Sequence, residues 1–319
     1  MVETQTRPRA APGAEAEAPR VSVIIPHLNT PELLVRAIRS VATQQLDHGR
    51  AEIIVVDNGS RLSLEAVKAA WPDVRFLLEP TPGPGPARNL GIAHASADLL
   101  GFIDADVKAE PGWLQAGLDA LAQDDHAPIG GDVRIDTGGR ARLTGVEAFE
   151  CVFSFDQKTY INRLHFSVTA NMMMTRAVFE QAGPFGGIEM PEDKAFGEKA
   201  HSLGMTTRFV PEMRALHPAR ASMDEMRRKW ARLSRQKLSA HLSAGHSLLR
   251  WRLLAVAVML SGVAHAPRML FSPRVSGAGN RLRGLTTLLH IRWARGLDML
   301  NLARKAGTEG ATTAMNWNR

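Results

Sequence analysis

The sequence predicts an α/β fold in which a mostly parallel sheet carries helices on both faces, followed by a basic helical appendage. Short apolar, β-branched runs recur along the first third of the chain, and helical segments separate them. Parallel strands need crossover connections and are buried on both faces, so this alternation is typical of such a sheet.

The first elements can be assigned in order from Val21. The run VSVIIPHLN predicts a strand, and Pro31 to Gln45 has apolar residues at helical spacing. AEIIVVDNGS predicts a second strand, with a helix from Leu62 to Trp71 after it. VRFLLEP predicts a third strand, Pro86 to Ala95 a third helix, and DLLGFIDAD a fourth strand.

The pattern is less regular between residues 130 and 218. We predict a strand near Phe166 to Met174, a helix from Arg176 to Ala182, another from Glu192 to Leu203, and a closing strand at GMTTRFVP. Met172 to Met174 are expected to fill the core.

Cysteine content and the first residues bear on the compartment. The single cysteine, Cys151, excludes an internal disulfide and a cysteine-based zinc site, which favours a reducing, cytoplasmic compartment. Residues 1–20 are rich in alanine, proline and charge and contain no apolar run. They predict a disordered leader rather than a signal peptide.

Charge is divided unevenly along the chain. Residues 220–319 carry 18 lysines and arginines against four acidic residues, whereas residues 1–219 carry 21 against 28. The basic third favours contact with a polyanion, either nucleic acid or an anionic membrane surface. Because no recognised nucleic-acid-binding motif accompanies the charge, we expect no nucleic-acid partner.

The basic third also contains an apolar segment. Glu225 to Lys237 predicts a basic helix, and Leu253 to Ala264 is a nearly continuous apolar run of twelve residues. A membrane span needs about 20 residues, so this run predicts a core, interfacial or re-entrant helix. Flanking arginines, Trp251 and a second basic helix at Arg281 to Arg295 favour attachment to an anionic membrane, peripheral on the inner face of the cell membrane. A dimer or core helix stays open.

Two carboxylates close the fourth strand. Asp104 and Asp106 are two positions apart, so they point the same way at about 7 Å spacing. Asp57 follows a neighbouring strand, and ligands of such sheets bind at the carboxyl ends of the strands. Paired acids repel each other unless a divalent ion or a proton intervenes. Mg²⁺ or Mn²⁺ suits this pair, because hard ions prefer oxygen ligands and Mg²⁺ is often shared with substrate phosphates.

Six motifs, in order between Val21 and His217, resemble those of the family 2 glycosyltransferases, which have the glycosyltransferase A fold. They are VSVIIPHLN, EIIVVDNGS, GPARNLGIAHA, FIDADV, TANMMMTRAVFEQAGPF and PEDKAFGEKAHSLG. The resemblance implies catalysis by transfer of a sugar from a nucleoside-diphosphate donor. This sequence departs from the family pattern at two places. It has His27-Leu28 where the family often has an aromatic residue, and Asp57-Asn58 where the family often has a pair of acids.

The resemblance also implies roles for particular residues. Asp57 would contact the base or ribose, Arg88 would lie near the base and phosphates, and Asn171 would approach the sugar or acceptor. The implied donor-binding residues are Pro26, Asn29, Asp57, Arg88, Asp104 and Asn171, and the implied metal ligands are Asp104, Asp106 and His217. His27 is expected to be packed or to line the pocket rather than to act in catalysis.

Glu192 and Asp193 form a second acidic pair at the start of a predicted helix. Acids in a first turn stabilise a helix by themselves. The resemblance instead implies that Asp193, beside Glu192, is the general base that deprotonates the acceptor hydroxyl. Attack from the face opposite the leaving nucleoside diphosphate would invert the anomeric carbon.

The resulting hypothesis is a metal-dependent inverting glycosyltransferase acting on a glycan or lipid-linked hydroxyl acceptor, in polysaccharide, glycolipid or cell-envelope glycan synthesis. Its domains would be residues 1–20 (leader), 21–219 (catalytic, with a nucleotide half at 21–110 and an acceptor half at 111–219) and 220–319 (tail). A nucleotidyltransferase would carry a glycine-rich loop after the first strand, and PHLNTPELL has none. An inactive membrane-bound nucleotide-sugar-binding module would tolerate loss of Asp104, Asp106 and Asp193.

Overall fold

The computed structural model describes residues 18–188, 191–220 and 222–306. Residues 1–17 of the predicted leader, and the frayed end predicted for the final dozen residues, lie outside the described residues.

One eight-stranded sheet organises the described chain, in the order β3-β2-β1-β4-β7-β6-β8-β5. Its strands are β1 Val21–His27, β2 Ala51–Asp57, β3 Arg75–Leu78, β4 Leu99–Ile103, β5 Lys108–Ala109, β6 Ile129–Asp136, β7 Asn171–Thr175 and β8 Arg208–Pro218. Strands β3, β2, β1 and β4 run parallel to one another. Strand β7 is antiparallel to β4 and β6, β8 is parallel to β6, and β5 is antiparallel to β8.

Twelve helices occur in the described residues. They are α1 Pro31–Ala42, α2 Glu65–Ala70, α3 Pro84–His94, α4 Trp113–Gln123, α5 Gly145–Phe153, α6 Gln157–Leu164, α7 Arg176–Ala182, α8 Glu192–Ser202, α9 Met223–Ser243, α10 Leu248–Ala264, α11 Ala266–Leu270 and α12 Ala278–Ala306.

Both faces of the sheet are covered, which confirms the predicted fold class. One core cluster packs α1 and α4 on one face, and a second packs α3, α7 and α8 on the other. Met173 belongs to the first cluster, whereas Met172 and Met174 belong to the second, because alternate strand residues point to opposite faces. All three methionines are at most 1% exposed, so the prediction that they fill the core is confirmed.

The least regular segment contains elements that the pattern did not reveal, among them β6, α5 and α6. Strand β6 reads IGGDVRID, and its paired glycines hide the strand signal. The structure requires them, because a Cβ on Gly131 would lie 1.8 Å from the Met213 carbonyl oxygen, and one on Gly130 2.2 Å from Ser167 Oγ. The closing strand β8 is longer than predicted and includes His217.

The C-terminal helices pack directly on the sheet-bearing part. A third cluster joins α5 to Met226 of α9, Met269 of α11 and Leu288 and Ile291 of α12, all of them buried. A fourth cluster packs α10 against α9 and α12 around Trp251. The division at residues 219 and 220 therefore stays a prediction, since apolar packing continues across it.

The apolar segment of the tail forms a longer helical stretch than the run itself. Leu248–Leu270 has a mean hydropathy of 1.6 over its most apolar window and is 17% buried there, so by length and composition it could cross a membrane. One side of α10 packs against α12, where Gly262 and Gly296 allow close approach. The expectation that this segment is too short to span a membrane is thus wrong as to length. The helical stretch formed by α10 and α11 has 23 residues and extends beyond the twelve-residue apolar run.

Candidate active site

The carboxyl ends of β1, β2 and β4 lie at one edge of the sheet, as the sequence predicts. Residues His27 and Asp57 are register partners at the ends of β1 and β2. Residue Asn171, the first of antiparallel β7, is the register partner of Ile103, the last of β4. Asp104 and Asp106 follow directly after Ile103.

A hydrogen-bonded group joins the ends of β1 and β2. His27 is 1% exposed; its Nε2 accepts the Thr30 N–H at 3.0 Å, and its Nδ1 lies 3.4 Å from Asp57 Oδ1. Because Nε2 is an acceptor, a neutral ring carries its proton on Nδ1 and donates it toward Asp57. Burial lowers the pKa of His27, which keeps the ring neutral. Ser60 Oγ also donates to Asp57 Oδ1, at 2.5 Å. His27 is thus a packed residue that orients Asp57.

The loop after β1 is fixed to the loop after β2. Asn29 adopts a left-handed backbone, φ +55°, and its Oδ1 accepts the Arg61 N–H at 2.7 Å, while its own N–H donates to Ser60 Oγ at 2.9 Å. Of the two implied donor-binding residues in this segment, Pro26 lies inside β1 opposite Val56 and is half-buried, whereas Asn29 follows the strand and is exposed.

A cavity of about 360 Å³ opens beside Asp57. The loop after β2 and strand β3 supply its lining: Asp57, Ser60 to Glu65, Lys68 and Phe76 to Leu78. Of the predicted donor-binding residues, Asp57 alone is among these lining residues. Strand β3 contributes to this lining, which the sequence pattern did not predict. Its Phe76 is half-buried and lines the cavity.

Arg88 of α3 connects two acidic segments that are far apart in the sequence. Its side chain is 2% exposed, with Nη2 2.7 Å from Asp104 Oδ1 and Nη1 2.8 Å from Glu192 Oε1. Burial by itself would lower the pKa of Arg88, but the two carboxylates raise it, so the side chain is a fixed cation. Both terminal nitrogens of the guanidinium contact carboxylates, so Arg88 positions Asp104 and Glu192, and its contact with the base and phosphates stays a prediction.

Asp106 faces His217, which lies near the end of β8. His217 Nε2 lies 3.4 Å from Asp106 Oδ2, and its Nδ1 lies 2.6 Å from the Pro218 carbonyl oxygen. With its Nδ1–H donated to that carbonyl, His217 presents Nε2 to Asp106: an imidazolium donates Nε2–H to the carboxylate, and a neutral ring offers the Nε2 lone pair to a cation. Burial raises the pKa of Asp106; Asp104 adds to the rise, while His217 and Arg220 oppose it. Within the described ranges, no group of three or more His, Cys, Asp or Glu residues is arranged to hold an ion by itself.

The Glu192–Asp193 pair begins α8 as predicted, and its two acids differ in environment. Glu192 is held by Arg88, whereas Asp193 accepts only the Lys194 N–H, at 2.7 Å, among the contacts found for it. Burial and the neighbouring Glu192 raise the pKa of Asp193 to about 6. A carboxylate with a raised pKa is suited to accept a proton near neutral pH.

Asn171 is buried and bonded inside the protein. Its side chain is 0% exposed; Oδ1 accepts the Trp113 indole N–H at 2.7 Å, and Nδ2 donates to the carbonyl oxygens of Asp132 and Met213. The amide thereby joins α4, β6 and β8 behind the acidic edge. Every polar atom of the amide is bonded inside the protein, which gives Asn171 a structural role, and its expected donor contact stays a prediction.

Two further residues shape the site without a clear signal in the sequence. Asn58 Nδ2 donates to the Glu79 and Thr81 carbonyls, and its Oδ1 accepts the Gly83 N–H, so it holds the entry to α3. Phe155 has φ +51°, which is strained for an aromatic residue, and its ring centroid lies 4.7 Å from that of His217.

Several known proteins resemble this chain in sequence or in fold. Glycosyltransferase AglE of Haloferax volcanii is 26% identical over 260 residues, which cover 79% of this chain and 84% of that protein. A validoxylamine A glucosyltransferase of Streptomyces hygroscopicus subsp. limoneus is 34% identical over 116 residues, 35% of this chain and 26% of that protein. Among solved structures, mannosyltransferase PcManGT from Pyrobaculum calidifontis, in complex with GDP-Man and Mn²⁺, matches with a TM-score of 0.53 at 16% identity, over 96% of this chain and 80% of that one.

The structural likeness supports the glycosyltransferase A fold. The family described as glycosyl transferase family 2 matches residues 22–183, which span β1 through α7 and so include the parallel half of the sheet and the edge that carries Asp57, Asp104 and Asp106. On this match over half of its length, the chain belongs to glycosyl transferase family 2.

Proposed function

We propose that this chain transfers a sugar from a nucleoside-diphosphate donor to a hydroxyl acceptor, with inversion and with Mg²⁺ or Mn²⁺ bound. Family membership supports nucleotide-sugar glycosyltransferase activity. The observation that carries the finer proposal is the bridge made by Arg88 between Asp104 and Glu192. This bridge holds Asp104, on the proposed donor side, near Glu192 and the adjacent Asp193 on the proposed acceptor side.

The cavity beside Asp57 is the proposed nucleoside site. Its size of about 360 Å³ suits part of a small ligand, and its lining combines five apolar residues with six polar or charged ones. Asp57 is held in place by His27 and Ser60, so its carboxylate would meet a ribose hydroxyl or base N–H without first reorganising. AglE and PcManGT are themselves named as a glycosyltransferase and a GDP-Man-bound mannosyltransferase, which is in keeping with this assignment.

Asp104, Asp106 and His217 are the residues that would hold the divalent ion. They offer carboxylate oxygens and an imidazole whose Nδ1–H is already bonded to a backbone carbonyl, as is usual for a ligating histidine. Three protein ligands would leave coordination positions of an octahedral Mg²⁺ for diphosphate oxygens. When bound, the ion would supply electrostatic stabilisation of the negative charge on the departing diphosphate.

Asp193 is the proposed general base. Its neighbour Glu192 is neutralised by Arg88, so Asp193 is the acid of the pair that is left to take the acceptor proton. An alcohol is a weak nucleophile, and a carboxylate within about 3 Å can remove its proton as the bond to the sugar forms. Attack from the side opposite the diphosphate inverts the anomeric carbon.

An anionic membrane surface is the proposed location of the acceptor, a glycan or lipid-linked hydroxyl compound. Two stripes of exposed apolar side chains run along α10 and α12, and we call them together the apolar stripes. They consist of Leu249, Leu253, Val256, Leu260 and Val263 on α10, and Leu282, Leu289, Trp293 and Leu297 on α12. The surrounding chain is strongly basic, which complements anionic lipid. Peripheral attachment at the inner face of the cell membrane follows from this proposal.

Replacement of the base tests the catalytic proposal. We expect Asp193→Asn to lower kcat by about 10²- to 10⁴-fold, the usual contribution of a general base. The variant should be at least as stable as the wild type at pH 7–8, because an ionised acid with a raised pKa costs stability. Product formation and thermal unfolding measure the two effects. Glu198→Gln, on the same helix and exposed, is the matched control. Near wild-type turnover in D193N would contradict the assignment.

The pH dependence tests the same group by another route. The folded pKa of Asp193 is raised to about 6, so its proton-accepting form is lost as the pH falls through 6. We expect kcat/KM to fall about ten-fold per pH unit below that value. The effect on stability has the opposite sign: the buried Asp193 charge destabilises the fold fully above pH 6, and this cost shrinks as the pH falls from 6 to the ordinary carboxyl value of 3.8, below which it is absent. A flat profile between pH 5 and 7 would contradict the proposal.

Substitution on the apolar stripes tests membrane attachment. The wild-type protein should co-sediment with vesicles that contain phosphatidylglycerol, less so at high salt. The double variant Leu253→Gln/Leu260→Gln should bind at least ten-fold more weakly, because two leucines lose a favourable transfer of about 1.5–3 kcal/mol each. Leu203→Gln, exposed at the end of α8, is the control. Equal binding by wild type and double variant would exclude this surface.

A further inference from the structure

A layer of polar side chains lies between α9 and α12, and we call it the α9–α12 polar layer. Helix α9 contributes Trp230, Ser234 and Lys237, which are four and three residues apart and so share one face. Helix α12 contributes Arg292 and Arg295, three residues apart. The Arg295 guanidinium carbon lies 4.2 Å from the centroid of the Trp230 ring, which places the two faces in contact.

Four of the five residues in this layer have a buried polar atom without a hydrogen-bond partner among the described residues. The described residues contain seven buried side-chain N or O atoms without a partner, and four of them are here: Trp230 Nε1, Ser234 Oγ, Arg292 Nε and Arg295 Nε. Arg295 is 8% exposed and Ser234 1% exposed. Buried donors without acceptors destabilise a fold, and a buried charge does so more strongly, so this arrangement is costly as it stands.

The layer also lacks a counter-charge. Across the described part of the chain, no carboxylate forms an ion pair with Arg292 or Arg295. Burial lowers the pKa of Arg295 to about 10, and Arg292 adds to the fall by repulsion. Burial, together with repulsion from Arg295, Arg292 and Lys194, also lowers the pKa of Lys237 at the exposed rim. Arg88 is the contrast within the same protein, because it is buried against two carboxylates.

Apolar packing continues on both sides of the layer. Toward the start of α9, Met226 packs in a cluster with Leu288 and Ile291 of α12. Toward its end, Leu238 packs in a cluster with Met299 and Ala303. An apolar layer would therefore fit between them, and the residues present instead are cations and neutral donors. Cations and hydrogen-bond donors are the groups that bind an anion.

We propose that the α9–α12 polar layer binds a phosphate group, and that the phosphate is the headgroup of an anionic membrane lipid. Guanidinium groups bind phosphate through paired N–H donors, and the indole N–H and the serine hydroxyl are further donors. Exposed Leu289 and Trp293 lie next to Arg292 on α12, where the lipid chains would begin. The phosphate site itself goes beyond glycosyl transfer, whereas the lipid source rests on the membrane attachment proposed above.

Thermal unfolding with inorganic phosphate tests the site itself, compared with chloride at equal ionic strength. We expect phosphate to raise the wild-type Tm by about 2 °C, and Arg295→Met to lose most of that rise. In chloride, R295M should unfold at a temperature no lower than that of the wild type, because it removes a buried charge without a partner. Arg235→Met removes an exposed charge from another face of α9 and should respond like the wild type. Equal phosphate responses in all three proteins, or a lower Tm of R295M in chloride, would overturn the site.

Co-sedimentation with vesicles tests the source of the phosphate. With phosphatidylglycerol vesicles, we expect R295M to bind at least ten-fold more weakly than the wild type. R235M should lose no more than about five-fold, the usual effect of one basic residue at a membrane. If R295M loses the phosphate response but binds vesicles as R235M does, the lipid source is wrong and the ligand is a soluble phosphate compound. Loss of catalysis in D193N leaves both assays unchanged, so failure of the proposed function is separable from failure of this site.

Discussion

The buried guanidinium of Arg88 is the constraint on which the acidic edge depends. Asp104 follows a strand of the parallel half and Glu192 begins a helix 88 residues later in the sequence, yet one side chain binds both within 2.8 Å. Removal of one partner from a buried ion pair costs several kcal/mol, because the other charge is left unpaired. The bridge thus fixes the distance between the proposed diphosphate site and Asp193, which follows Glu192 directly. His27 and Ser60 hold the Asp57 carboxylate in place in a similar way, through hydrogen bonds at the ends of β1 and β2.

Much of this fold can be predicted from the sequence because β1, β2 and β4 are apolar runs followed by polar residues. The chemistry of Asp57, Asp104 and Asp106 follows from those positions, since carboxyl ends of parallel strands share an edge. Pairings between distant residues are harder. The partners of Arg88 and the buried bonds of Asn171 depend on tertiary contacts that no spacing encodes. Strand β6 was missed because its glycines, required by close backbone approach, weaken the pattern.

Charge is handled in opposite ways in the two parts of the molecule. In the sheet-bearing part, a buried arginine is neutralised by acids, and the site is organised before a ligand binds. In residues 220–319, basic residues outnumber acids by 18 to four, and buried donors between α9 and α12 lack partners among the described residues. Exposed leucines and a tryptophan accompany them. The helices are thus suited to a surface that supplies both anions and an apolar phase.

The most direct measurement of the central claim is the turnover of Arg88→Lys with a nucleotide-sugar donor and Mn²⁺. Lysine keeps the charge, but a single ammonium cannot span two carboxylates as the guanidinium does. The account predicts a folded protein, by circular dichroism, whose turnover falls at least ten-fold because Asp104 and Glu192 are no longer held together. Turnover within two-fold of the wild type would contradict the claim that this bridge organises the site.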